Sequence, residues 1–275
     1  MELKLWGVRG SIPAPEPSNM GYGGNTSCIE IRPADGRLVI FDAGTGIRRL
    51  GAEIKRAQAD GRLGPELEID MFFTHFHYDH IQGLPFFAPL FDPRCSIRFY
   101  SSRYSSPLRE SITGQMVTPY FPVTLDVAAS RREFIVLEKD PVQVGALTVH
   151  PFQLNHPQGA TGYRIESEGK AIVYATDREQ NGGPLDAVVR EYSQDADILI
   201  HDSQYTLEEF ARFQGYGHST WLESARVAWD SRVKQLLLFH HDPTHDDATV
   251  TGLVERAREE FENTIGAREG WTGAV

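Results

Sequence analysis

The chain has 275 residues, 40% of them hydrophobic, and a formal charge of −11. That is enough apolar material for one large core, while the acidic balance argues against general affinity for nucleic acid or anionic membranes, whose binding needs basic surface; small substrates fit better. Cys28 and Cys95 stand far apart without Cys-x-x-Cys spacing, so neither a disulfide framework nor a thiolate zinc site is expected; with polar Glu2, Lys4 and Arg9 near the start and no apolar run that would span a bilayer, a cytoplasmic location is expected.

In chain order, Leu3, Leu5 and Val8 form a short first strand that runs into Arg9-Gly10-Ser11-Ile12-Pro13 and a long loop. The loop ends at Tyr22-Gly23-Gly24-Asn25-Thr26-Ser27, either a plain turn or a place where glycines let backbone amides approach a ligand, before a second strand at residues 28–31. Leu38-Val39-Ile40-Phe41 is a buried-strand run, followed by the tight turn Asp42-Ala43-Gly44-Thr45-Gly46 and a helix ending near Gly61. Next, an apolar run over residues 69–73 delivers Thr74-His75-Phe76-His77-Tyr78-Asp79-His80. In extended chain alternate side chains share a face, so His75 and His77 can grip one ion, and Asp79 and His80, where the chain turns, can face a second. Imidazole and carboxylate suit zinc, and also manganese or iron. The competing reading is a histidine-rich surface loop, which would have no reason to cap an apolar strand.

Residues 86–91 read as a short apolar helix covering this site, and residues 96–100 as a strand. Residues 101–134 mix Arg103, Arg109, Arg131 and Arg132 with aromatics around Tyr120-Phe121-Pro122. They read as an insertion, a lid or a homodimer contact, or a surface excursion with its own small core, within a single domain spanning 1–275. Strands resume at 134–137, 147–152, 161–165 and 170–175. His156 and Asp177 each lie just past a strand, as does Asp202 at the end of 197–202. Gly217-His218-Ser219-Thr220 opens a helix, with Thr220 and Glu223 as a capping box. His218 therefore stands at free amides and a helix dipole that favour an anion. Residues 234–239 are the last buried strand, ending in His240-His241-Asp242-Pro243; His245, Asp246 and Asp247 read as surface or capping groups before a closing helix over 248–262.

The His-x-His-x-Asp-His motif after a hydrophobic strand resembles the metallo-β-lactamase superfamily. The strand ending in His201-Asp202, the Gly-His-Ser-Thr helix start and the final strand with His240 resemble its ribonuclease Z and phosphodiesterase branch, with Asp202 where that branch has glutamate. The resemblance implies an α/β fold, a four-layer αββα sandwich of two mixed β-sheets with the strand ends meeting at a metal cleft. It implies His156 as third histidine of the first ion, Asp177 as the carboxylate shared by both, and His240, with His241 in reserve, as the last ligand of the second. Asp42 becomes a partner that orients a ligand histidine, although a turn or capping aspartate is equally open from the residues alone. The expectation is thus a dinuclear metal-dependent hydrolase, a phosphodiesterase for a small phosphodiester such as a cyclic nucleotide. Asp79 would orient the nucleophile, and His218, supported by Asp202, would act on the leaving group. No stable nucleic-acid partner is expected, since no basic, Gly- and Pro-rich arm is found. The alternatives are a ribonuclease Z-like RNA endonuclease, a thioester or lactone hydrolase, and a non-catalytic metal-binding protein.

Overall fold

The computed structural model describes residues 1–275. Its architecture follows from strands that are apolar on both faces. Along β3 (Leu38–Phe41), Val39 and Phe41 enter one core while Leu38 and Ile40 enter another. That is what a two-residue period requires of a strand buried on both sides. The same division runs through β1 (Glu2–Gly7), β2 (Cys28–Arg32), β4 (Leu67–Phe72), β5 (Cys95–Ser102) and β6 (Arg131–Leu137) of the first sheet. The second sheet is formed by β7 (Val142–Val144), β8 (Leu147–Leu154), β9 (Ala160–Ser167), β10 (Lys170–Ala175), β11 (Ile198–Asp202), β12 (Gln235–Phe239) and β13 (Thr264–Gly266), and the division runs through its strands β8 to β12. A last strand, β14 (Thr272–Ala274), returns to pair with β1.

The orders are β14-β1-β2-β3-β4-β5-β6 and β13-β12-β11-β10-β9-β8-β7. Between the sheets lies a core that includes Phe41, Phe72, Tyr163, Tyr174 and Phe239. Phe41 and Phe72 stack at 5.0 Å; truncating either to alanine would cost about 3–5 kcal/mol. Outside the first sheet, α1 (Ile47–Ala59) buries Ile47, Leu50 and Ile54. Outside the second, α4 (Pro184–Ser193), α6 (Trp221–Asp230) and α7 (Asp247–Glu260) bury Val189, Ala225, Val227, Leu253 and Val254. The result is an α/β sandwich in four layers, αββα. No helix is long and apolar enough to cross a membrane.

Parallel pairing decides where the polar strand ends meet. Phe41 is level with Phe72 across β3 and β4, and Ala175, His201 and Leu238 are level across β10, β11 and β12. The residues just beyond those ends, Asp42, His75, Asp177, Asp202 and His240, therefore leave the two sheets at one edge. Asp42, Asp177 and His240 sit at φ of 60°, 55° and 62°. For residues with a β-carbon this left-handed region costs on the order of 1 kcal/mol or more, and such positions concentrate at functional sites.

Three expectations change. Residues 86–91 form two 3-10 turns, Leu84–Phe86 and Ala88–Phe91, because Pro85 and Pro89 each start a new turn and cannot continue one. Leu84, Phe87 and Leu90 pack with α1 residues in the outer core, with Phe87 against Gly51, and do not cover the metal-binding motif. Between β5 and β6, α3 (Leu108–Gly114) and its flanks sink Leu108, Ile112, Met116 and Leu125 into that same core, while Tyr120 stands exposed. Thr220 caps α6 by accepting from the Glu223 amide at 3.2 Å, but the Glu223 carboxylate turns to Arg178 and Arg190. The complete capping box belongs to Thr206 and Glu209, at the start of α5 (Leu207–Arg212).

Candidate metal centre

Five imidazoles converge, and each has its far nitrogen occupied. His75 Nδ1 donates to Thr74 Oγ1 (3.1 Å), His77 Nε2 to Gln158 Oε1 (3.0 Å) and His156 Nδ1 to the Gly217 carbonyl (2.8 Å). His80 Nδ1 donates to Asp42 Oδ2 (2.8 Å) and His240 Nδ1 to Gln204 Oε1 (2.9 Å). Each bond selects a tautomer and leaves the other nitrogen's lone pair facing the centre, as metal-binding histidines require.

These donors fall into two sets. His75, His77 and His156 make the first, their donor atoms within 4.8 Å of one another. His77 Nδ1 stands 3.1 Å from His156 Nε2. His75 Nε2 is buried without any hydrogen-bond partner, an orphan costly to bury unless something else binds it. Burial holds His75 well below its ordinary pKa and takes His156 down to about 4, so both rings are neutral ligands at neutral pH.

Asp79, His80, Asp177 and His240 make the second set, all buried. Asp79 reaches it from the single turn α2 (Tyr78–Ile81), where the Ser11 amide also donates to Asp79 Oδ2 at 2.8 Å. From Asp79 Oδ2 the distances are 3.3 Å to His80 Nε2 and 3.1 Å to His240 Nε2. From Asp177 Oδ2 they are 3.1 Å and 3.3 Å to the same two nitrogens, which are 3.4 Å apart. Donors about 2.1 Å from a tetrahedral ion lie about 3.4 Å from one another, so these residues fit a divalent metal ion. Asp177 faces both sets, since its other oxygen, Oδ1, is 3.8 Å from His75 Nε2. Burial penalises its charge, yet His240, His80 and His75 hold its pKa well below the carboxylate range.

Behind the ligands, Asp42 accepts from the Thr74 amide (2.9 Å), the Thr74 hydroxyl, the Tyr174 hydroxyl (3.0 Å) and His80. Its carboxylate orients His80. To one side, His218 Nδ1 donates to Asp202 Oδ2 at 2.9 Å and lies 3.9 Å from Asp177 Oδ1. Burial opposes a charged His218, but Asp202 above all, then Asp177 and Asp79, outweigh it and raise the pKa to about 9. Asp202 also accepts from the amides of Asp177, Gln204 and Ser219. The anion near the start of α6 is thus the protein's own carboxylate.

The structure brings every expected site residue to this edge. His241 instead donates Nε2 to the Ala267 carbonyl at 2.8 Å and points away. His245 is buried and bonded to Glu209, not on the surface, because its carbonyl also takes the buried Arg9 guanidinium. Asp246 caps α7, and Asp247 accepts from the amides of Gly21 and Tyr22. The glycine loop is a turn pinned away from the ligands by Asn25 to Glu269 and by Thr26 to Thr45. Sequence reasoning passed over Gly10, where a β-carbon would come within 2.4 Å of His240 Nδ1, and Ser11, Thr74, Gln158 and Gln204. Their only sequence signal is closeness to a strand end or to a ligand.

Fold and site together define a metal-dependent hydrolase. Residues 37–241 match the family model of the beta-lactamase superfamily domain, and the chain belongs to that superfamily. Ribonuclease Z of Thermoplasma acidophilum is 24% identical over 98% of this chain and 94% of its own. Among solved structures, the metallo-beta-lactamase fold protein YhfI from Bacillus subtilis aligns with TM-score 0.72 at 18% identity over 99% of both chains. A diphosphatase from the PhnP family aligns with TM-score 0.68 at 17% identity over 100% of this chain and 97% of that one.

Proposed function

We propose that the protein is a dinuclear phosphodiesterase that cleaves a small phosphodiester, such as a cyclic nucleotide, with zinc as the favoured ion. The observation that carries this reading is the His218–Asp202 pair set beside Asp177, the carboxylate that faces both donor sets. Two divalent ions there would lower the pKa of a water toward neutrality and neutralise charge developing on phosphorus. Asp79, fixed by the Ser11 amide, orients the attacking water. His218, oriented and kept protonated by the carboxylate of Asp202, delivers its other proton, on Nε2, to the leaving oxygen, a role worth roughly 10²- to 10⁴-fold.

The adjoining cleft, about 260 Å³, supports a small substrate: beside His75 and His77 it is walled by Tyr78, Ser106, Glu110, Gln115 and Gln158, with no lysine or arginine. A polynucleotide backbone would meet few counter-charges there. α3 supplies part of that wall, so the 101–134 segment serves as a lid, and exposed Tyr120 beside it offers a homodimer contact. The second reading, an RNA endonuclease, is favoured by the ribonuclease Z relatives.

The test is to measure bound metal by elemental analysis and to assay bis-p-nitrophenyl phosphate, cyclic nucleotides and precursor RNA, with His77→Ala as control. About two ions per chain and diester cleavage that His77→Ala abolishes are expected. Cleavage of RNA alone would replace the substrate by the second reading, and no bound metal would refute both.

A further inference from the structure

Two residues beyond Asp177 lies Glu179, buried and without a cationic partner; its carboxylate accepts from two backbone amides. Gly215 N donates to both its oxygens (2.9 and 2.8 Å) and Gly217 N to one (2.8 Å). Gly215 and Gly217 have φ of 90° and 92°, so consecutive turns of the backbone present their N–H groups to one anion, a concave nest. The Gly217 carbonyl in turn holds His156 Nδ1, and the residue after Gly217 is His218. A β-carbon at Gly217 would come within 2.2 Å of His156 Nδ1, so this backbone packs directly on the ligand ring. From the other side, Glu179 N donates to the Asn155 carbonyl at 2.8 Å and Asn155 Nδ2 donates back to the Glu179 carbonyl at 2.9 Å. The residue before His156 is thereby tied to the same position.

We propose that Glu179 is a positioning residue which, through the Gly215–Gly217 backbone, aims both His156 at the first ion and His218 at the leaving group. A carboxylate suits the task because it accepts several charge-assisted N–H bonds at once. An amide in its place would set N–H against N–H at one of the two oxygens. The inference rests on the reading of His218 as the group that protonates the leaving oxygen.

The test compares Glu179→Gln, His218→Ala and the double variant at saturating zinc on bis-p-nitrophenyl phosphate and diphenyl phosphate, whose leaving group needs a proton more. Zinc affinity and hydrogen exchange over residues 213–218 are measured alongside. Glu179→Gln is expected to slow diphenyl phosphate about tenfold or more while changing the nitrophenyl ester about twofold, and to add nothing in the His218→Ala background. It is also expected to weaken zinc binding about tenfold through the loosened His156 and to speed exchange at 213–218. Equal slowing of both esters, a full additional loss in the double variant, or no change at all would overturn the proposal. Full activity of His218→Ala on diphenyl phosphate would instead defeat the His218 reading, and zinc affinity of Glu179→Gln would then decide whether Glu179 holds His156.

Discussion

The two donor sets are built differently. The first, His75, His77 and His156, is all imidazole, and its supporting bonds go to neutral groups: a hydroxyl, an amide side chain and a backbone carbonyl. It borders the cleft, and His77 is only half-buried. The second contains two carboxylates, is wholly buried, and is backed by the carboxylate of Asp42 behind His80. Anionic ligands and an anionic partner bind a dication more tightly than neutral ones do, and a buried cluster of carboxylates without a cation is costly. The inner set should therefore hold its ion firmly and the outer one exchange it.

The largest effect expected is from Asp177→Asn, since Asp177 faces both sets: both ions weaken, and turnover on a phosphodiester falls by more than about a hundredfold. Elemental analysis showing two tightly held ions in that variant would break the comparison. Next, Asp42→Asn should weaken chiefly the inner ion, whose His80 it bonds directly, by about 10- to 100-fold, and the outer ion less, through Thr74 and His75, with activity recovered by excess zinc. Zinc titration of the metal-free variant reads this directly. Graded chelation should then strip the wild-type protein in two steps, the first leaving about one ion per chain, and His77→Ala should begin at that one-ion plateau.

The smallest effect concerns His241, a histidine next to a ligand yet outside both sets. Burial lowers its pKa to about 3 in the folded protein, against about 6.5 when unfolded. The unfolded chain therefore binds a proton that the native ring refuses. This stability is complete above about pH 6.5 and is lost progressively as pH falls toward about 3. His241→Gln keeps a donor for Ala267 and removes that loss, so between about pH 7 and pH 5 its melting temperature should fall less than the wild type's, by about 2–4 °C. Equal falls would show that His241 does not titrate as a buried neutral ring.

Much of this centre was readable in one dimension because its first half is local. His75, His77, Asp79 and His80 fall within six consecutive positions after an apolar run, and alternation followed by a turn separates them into two sets without help from the rest of the chain. The layered fold was legible for a related reason: strands buried on both faces are continuous apolar runs, and Leu38-Val39-Ile40-Phe41 or Leu236-Leu237-Leu238-Phe239 can only be interior. Local punctuation was less reliable. Pro85 and Pro89 divided an apolar segment that composition alone makes a helix, and Glu223 left its capping box for two arginines contributed by other elements.

Sequence alone determined the chemistry of the site, because ligand type and short-range spacing are covalent properties of the chain. Only the tertiary structure decided between His240 and His241, since neighbouring residues leave a strand in different directions and only the position of Gln204 and of the Ala267 carbonyl tells which ring faces inward. It alone picked out His80, 38 residues away, as the histidine that Asp42 anchors, and made Glu179 the anchor of Gly217, also 38 residues away. Such partners are set by parallel strand register and by where loops close over the sheet edge, and neither quantity is written in any short stretch of residues.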